Sequence, residues 1–212
     1  MIEELQYTPV PLSPNYGFIQ CTIPESLRKP ILDSIDESSI PSNEGLVGQI
    51  KDEKELTIYK DNPDYTNFIF NLVRVYESCY NSWISSIAFL NQNKDIELEH
   101  DMLWVNRMNK GEFNPCHIHS SIYSYVMWIK VPYDLENEKK VFPEAKDNSC
   151  GCFDFIYSNN TGVANYRIPV DYRYEWEMVF FPSNLMHTVY PYFTTDEQRI
   201  SVAGNIKLVD NK

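Results

Sequence analysis

Glycine is scarce in this chain, at 7 of 212 residues, which argues against a flexible or low-complexity polypeptide. Basic charge is also short. Eighteen Lys and Arg stand against 30 Asp and Glu, for a net charge of −12. That balance argues against a protein that tracks nucleic-acid phosphates and against docking on an anionic membrane surface. No apolar run approaches the roughly 20 residues needed for a membrane span. The opening decapeptide, MIEELQYTPV, has neither a basic nor an apolar leader region, so no secretory leader is expected there. The 5 cysteines are odd in number and lack framework spacing, so reduced thiols in a cytoplasmic setting are expected. Cys150-Gly151-Cys152 is too tight for an easy disulfide, and no second pair completes a zinc tetrahedron.

What is present is apolar and aromatic: 43% hydrophobic residues, with 15 Tyr and 11 Phe. A chain of this size can bury a real core as one domain, or one domain with an added layer. Aromatic-rich, glycine-poor composition suggests packed β-structure. The chain reads as two unequal parts, a helical or irregular layer over 1–94 and a β-core over 95–212, in one compact unit. In the first part, 16–23 reads as a short strand stopped by Pro24. A short helix is expected within 25–37, with Pro30 kinking it or in its first turn. Residues 38–62 look polar and irregular, with a strand possible at 56–59. The strongest helix is 63–90, capped by Asn62, started by Pro63 and ended by Asn91-Gln92-Asn93. Its apolar residues recur every three or four positions, as on a packing face.

From residue 96 onward, extended segments dominate: 96–108, 122–131, 152–157, 164–170, 176–181, 187–192 and 199–208. Ser158–Gly162 reads as a hairpin connection, and the charged stretch 134–150 as an exposed loop. Strands in succession without intervening helices imply antiparallel β as a sandwich, jelly roll or barrel. The fold class expected is mainly β with helices (α+β).

There are only 4 histidines. His117 and His119 form H-x-H, and positions i and i+2 of a strand share a face. His187 follows the apolar strand and turn Phe180-Phe181-Pro182-Ser183. Returning across a β-barrel, it could meet the first pair. Three neutral imidazoles make a site for Fe(II), Zn, Cu or Ni; the plainer alternative is a surface pair. His100, within Glu97-Leu98-Glu99-His100-Asp101, reads as a solvated strand end. Arg199 and Ser201 again share a face. A guanidinium fork and a hydroxyl beside a metal suit a dicarboxylate ligand, whereas a surface Arg199 would pair with Asp196 or Glu197.

The order H-x-H, then FPS-x₃-H-x-V-x-P, then R-I-S-V-x-x-N-I resembles the 2-oxoglutarate- and Fe(II)-dependent oxygenases. It looks most like the small oxygenase-like proteins of marine bacteriophages. The segments 104–106, 112–121, 126–134 and 199–206 carry the similarity, and Leu46-Val47-Gly48-Gln49-Ile50 adds to it. The resemblance covers about residues 45–210. It implies a double-stranded β-helix (a cupin-like jelly roll) with helices packed on one side. It implies Fe(II), with 2-oxoglutarate and O₂ as cosubstrates, and hydroxylation of a small-molecule or peptide substrate, such as a prolyl or other amino-acid side chain. By the same likeness, His117 and His187 are metal ligands and His119 takes the slot held in the wider superfamily by a carboxylate. Arg199, Ser201 and Asn106 would contact the cosubstrate.

The histidines also resemble a cupin: Gly111-x₅-His117-x-His119 fits the first cupin motif and Pro182-x₄-His187 approaches the second. The Glu expected shortly after His119 is missing. A cupin-type metal-dependent dioxygenase or isomerase would not need Arg199. A non-catalytic jelly-roll binding or virion-associated protein is the third reading.

Overall fold

A computed structural model describes residues 5–42, 45–80 and 97–209 of the chain. Two antiparallel sheets face each other. The major sheet has seven strands: β1 (Tyr7–Ser13), β2 (Tyr16–Thr22), β3 (Asp52–Glu55), β4 (Leu98–Met108), β6 (Tyr123–Lys130), β9 (Glu177–Pro182) and β11 (Arg199–Leu208). Their spatial order is β1-β2-β9-β6-β11-β4-β3. The minor sheet, in the order β5-β10-β7-β8, contains β5 (Asn114–His117), β10 (Met186–Val189), β7 (Phe153–Asn159) and β8 (Gly162–Ile168). This is the double-stranded β-helix that the family resemblance implied, one of the antiparallel forms open to the strand succession, with a helical layer on one side.

Period-2 alternation gives the major sheet two different faces. From β6, Tyr123, Tyr125, Met127 and Ile129 point outward, and Val202 and Ile206 of β11 join them. Helix α1 (Glu25–Glu37) and the longer helix Pro63–Tyr80 cover this outer face. The long helix contributes Tyr65, Phe68, Ile69, Leu72, Val73 and Tyr76 at helical spacing. The expected Asn62 cap is present: its Oδ1 accepts from the Tyr65 N–H at 3.0 Å. Residues 81–90 of the expected helix and its terminator at 91–93 lie outside the described residues. On the inner face, Val126, Trp128, Val179 and Phe181 meet Phe153, Phe155 and Ile168 of the minor sheet.

Several local expectations need correction. Residues 56–59 are not a strand. β3 is Asp52–Glu55, and Ile58–Asp61 forms one helical turn. β1 was not anticipated, because Pro9 and Pro11 weaken its strand signal. Both sit on a sheet edge, where a missing N–H is tolerated. Pro30 lies in the interior of α1. The 158–162 hairpin is as expected, with Asn159 opposite Gly162. Among the described residues, no helix is long and apolar enough to cross a membrane.

Candidate metal and cosubstrate site

β5 and β10 run antiparallel with His117 directly opposite His187. Their rings are 4.2 Å apart, centroid to centroid. His119 lies just past the end of β5, where its backbone N–H donates to the Ser183 carbonyl at 2.8 Å. The Pro182-Ser183 turn therefore anchors the second histidine as well as leading into the third. The ligand atoms of His117, His119 and His187 all lie within 4.8 Å of one another. These three could hold a metal ion, and no carboxylate joins the cluster among the described residues.

The tautomers are set from outside the cluster. His117 Nδ1 lies 2.7 Å from the Pro115 carbonyl, and His187 Nδ1 lies 2.9 Å from the Leu185 carbonyl. An Nδ1–H donating to each carbonyl leaves the Nε2 lone pair free for a metal. Burial pushes the imidazole of His119 down to about 4 and that of His187 well below its ordinary value, with the neighbouring histidines adding to both effects. His117 is also lowered, by burial. All three are neutral at pH 7, the form that ligates.

The same cleft, about 490 Å³ including its mouth, takes in Asn106, Ser201 and Arg199. Ser201 stands opposite Asn106 across β11 and β4, so both side chains face inward. Ile200 and Val202 pack on the outer face. Arg199 is not a surface residue: it is 2% exposed. Its suggested surface partners are engaged elsewhere, Glu197 with Lys130 and Asp196 with Lys110. The guanidinium instead meets neutral groups. Nη1 donates to the Tyr133 hydroxyl at 2.8 Å and to the Gly151 carbonyl at 3.2 Å, and Nη2 reaches the Met108 thioether at 2.7 Å. No carboxylate lies within ion-pair distance of Arg199 among the described residues. A buried cation is costly without a counter-charge.

Sequence reasoning missed the groups that position Arg199. Tyr133 and Tyr192 stack at 4.9 Å on its approach. Gly151 takes φ +74, a conformation glycine adopts freely, and its carbonyl accepts from both Tyr133 and Arg199. The Cys-Gly-Cys motif thus contributes a backbone turn. Glu138, fully buried, accepts from the backbone N–H groups of Phe193 and Thr194 at 2.8 and 2.9 Å, fixing the chain that leads to Arg199. The only local sign of Glu138 was an acidic residue in a loop read as solvated. His100 also departs from expectation. It is not a solvated strand end: it stacks on Tyr59 at 4.8 Å, and burial holds its imidazole near about 4.

The fold is a double-stranded β-helix, and its cleft carries three histidines that could hold a metal ion. Residues 102–205 match the family model described as "Putative 2OG-Fe(II) oxygenase". Over that stretch the chain is similar to the 2-oxoglutarate- and Fe(II)-dependent oxygenases. No curated protein matches it.

Solved structures of the same fold include a Pseudomonas putida prolyl-4-hydroxylase (14% identity, 91% of this chain and 93% of that one, TM-score 0.52). A second is the viral collagen prolyl hydroxylase of Paramecium Bursaria Chlorella virus-1 in complex with 2-oxoglutarate (11%, 91% and 96%, 0.53). A third is a Trichoplax adhaerens prolyl hydroxylase in complex with a hypoxia inducible factor peptide fragment (14%, 92% and 84%, 0.51). At these identities the likeness concerns the fold.

Proposed function

We propose that His117, His119 and His187 hold Fe(II), that Arg199, Ser201 and Asn106 hold 2-oxoglutarate, and that the enzyme hydroxylates an amino-acid side chain, free or in a peptide. The observation that carries this reading is the buried Arg199 guanidinium, without a carboxylate partner among the described residues, in the same cleft as three neutral imidazoles. Three neutral ligands leave the full charge of a divalent metal in place, and Arg199 adds one more positive charge. A dianionic cosubstrate would offset both charges, with Arg199, Ser201 and Asn106 as the residues that would hold it.

The chain's own groups divide the work. The Pro115 and Leu185 carbonyls keep the Nε2 lone pairs of His117 and His187 turned inward. Tyr133, Gly151 and Met108 hold the guanidinium so that its fork is preset before the ligand arrives. Ser201 adds a hydroxyl and Asn106 an amide N–H along the cosubstrate. Trp128 and Phe153 close the inner layer against water. Bound there, Fe(II) with 2-oxoglutarate supplies O₂ activation and C–H oxidation.

A side chain as substrate is supported by the fold neighbours named above, which are prolyl hydroxylases. The 5 free cysteines support a cytoplasmic setting. Anaerobic calorimetry with Fe(II) or Mn(II) tests the reading: 2-oxoglutarate should bind the metal-loaded protein and lose that affinity in Arg199→Ala. Equal affinity in both proteins would remove the oxygenase assignment and favour the cupin-type reading, which has no use for Arg199.

A further inference from the structure

The inward residues of β11 run Arg199, Ser201, Ala203 and Asn205 along one wall of the cleft. His119 stands against Trp104, with ring centroids 5.9 Å apart, and Trp104 is opposite Ala203 across β4 and β11. His119 therefore lies level with Ala203. Arg199 is two inward steps to one side of that level and Asn205 one inward step to the other, at about 7 Å per step. A cosubstrate held by Arg199 at its far carboxylate presents its other carboxylate toward the histidines. Asn205 is the polar side chain of this strand on that side.

Two buried serines hold the Asn205 amide from behind. Ser124 is opposite Asn205 in the β6–β11 register, and its hydroxyl donates to Asn205 Oδ1 at 2.8 Å. The Ser183 hydroxyl lies 2.8 Å from that of Ser124, and Ser183 is 0% exposed. Only one direction of this hydrogen-bond row uses both hydroxyl protons: Ser183 donates to Ser124, and Ser124 to Asn205. Turning the amide over would leave the Ser183 proton buried without an acceptor. The Oδ1 of Asn205 is thus occupied, and its Nδ2 has no acceptor among the described residues. Asn205 is itself buried and lines the cleft of the three histidines. Ser183 also anchors a candidate metal ligand, because its carbonyl accepts from the His119 N–H, and its own N–H donates to the Ile122 carbonyl at 3.0 Å. One turn therefore fixes both the amide and His119.

We infer that Asn205 is a cosubstrate-binding residue: its Nδ2 donates to the carboxylate beside the ketone of 2-oxoglutarate. Ser124 and Ser183 are positioning residues that keep the amide turned that way. The inference rests on the oxygenase reading and deepens it, because it assigns the two carboxylates of the cosubstrate to two positions on β11. Arg199 takes the far one and Asn205 the near one. A carboxylate is the acceptor that strengthens a buried N–H contact most. No carboxylate joins the histidine cluster among the described residues, so the near carboxylate meets a donor there and no like charge.

The test pairs 2-oxoglutarate with levulinate, which keeps the ketone and the far carboxylate and carries a methyl group in place of the near one. Both are titrated by calorimetry, without substrate, into the full chain loaded with Mn(II). Asn205→Ala should weaken 2-oxoglutarate binding about tenfold or more and leave levulinate affinity within about twofold. Arg199→Ala should weaken both ligands. Ser124→Ala frees the amide to turn over and should repeat the Asn205→Ala pattern with a smaller loss. A distorted cleft would instead weaken both ligands alike. NMR of the wild-type chain loaded with Zn(II) gives a second readout, which decides alone if levulinate binds too weakly to titrate. The Asn205 carboxamide resonances should shift with 2-oxoglutarate and stay in place with levulinate. Equal losses for the two ligands in Asn205→Ala, no loss for either, or a carboxamide that ignores 2-oxoglutarate would overturn the assignment. If 2-oxoglutarate still binds through Arg199 in that case, the oxygenase reading stands. No uptake of 2-oxoglutarate by the metal-loaded wild type would overturn both.

Discussion

The two faces of the major sheet are made by the same strands and do different work. On β11, Val202 and Ile206 point outward into an apolar layer, while Arg199, Ser201 and Asn205 point inward to the cleft. The outer layer is satisfied: Tyr76, Tyr123 and Phe180 pack ring against ring beneath the long helix. Among the described residues, the inner face holds a cation without a carboxylate and amide oxygens without donors. One face carries the packing beneath the helices, and the other carries the candidate site. Functional sites are where such local costs are expected.

Substitutions on each face should separate these roles. Phe180→Ala, at a fully buried outer position, should cost about 3–5 kcal/mol of stability. Denaturant unfolding measures this, and metal uptake by the folded fraction should not change. Arg199→Ala should weaken 2-oxoglutarate binding by about 30-fold or more, equivalent to roughly 2 kcal/mol or above. Its stability change should be smaller than that of Phe180→Ala. Arg199→Lys should recover only part of the binding, because an ammonium lacks the planar fork. Calorimetry with redox-silent Mn(II) checks both variants.

Acid should act on both faces. His100 outside and His119 inside are each held near about 4, mainly by burial, against an ordinary value of 6.5. Between those values the unfolded chain binds protons that the folded chain does not, so stability rises with pH in that window. The metal-free protein should lose stability as pH falls from about 6.5 toward about 4 and show no such dependence from these groups above it. Denaturation midpoints at several pH values decide this, and a flat profile across the window would contradict the burial of both rings. The smallest effect is expected at Asn62→Ala, which removes the helix cap. It should cost about 1 kcal/mol and leave metal and 2-oxoglutarate affinity unchanged.

Much of the inner face was legible because strand alternation is local. The i, i+2 spacing of Arg199 and Ser201 places both toward the cleft, as the structure shows. The meeting of His187 with the H-x-H pair followed from the expected barrel. His119 nevertheless stands beyond the strand end, held by Ser183. What was not legible depends on distant contacts. The partners of Arg199, Tyr133 and Met108, lie 66 and 91 positions away in the chain, and no periodicity announces them. His100 read as solvated because its neighbours in sequence are acidic, whereas its neighbours in space are Tyr59, Tyr65 and Phe70.

The most direct test of the central claim is an anomalous difference map from crystals grown anaerobically with Fe(II) and 2-oxoglutarate. One iron peak should appear about 2.0–2.3 Å from a ring nitrogen of each of His117, His119 and His187. One carboxylate of 2-oxoglutarate should lie against the Arg199 fork. Iron bound away from these rings, or 2-oxoglutarate bound without contact to Arg199, would contradict the account.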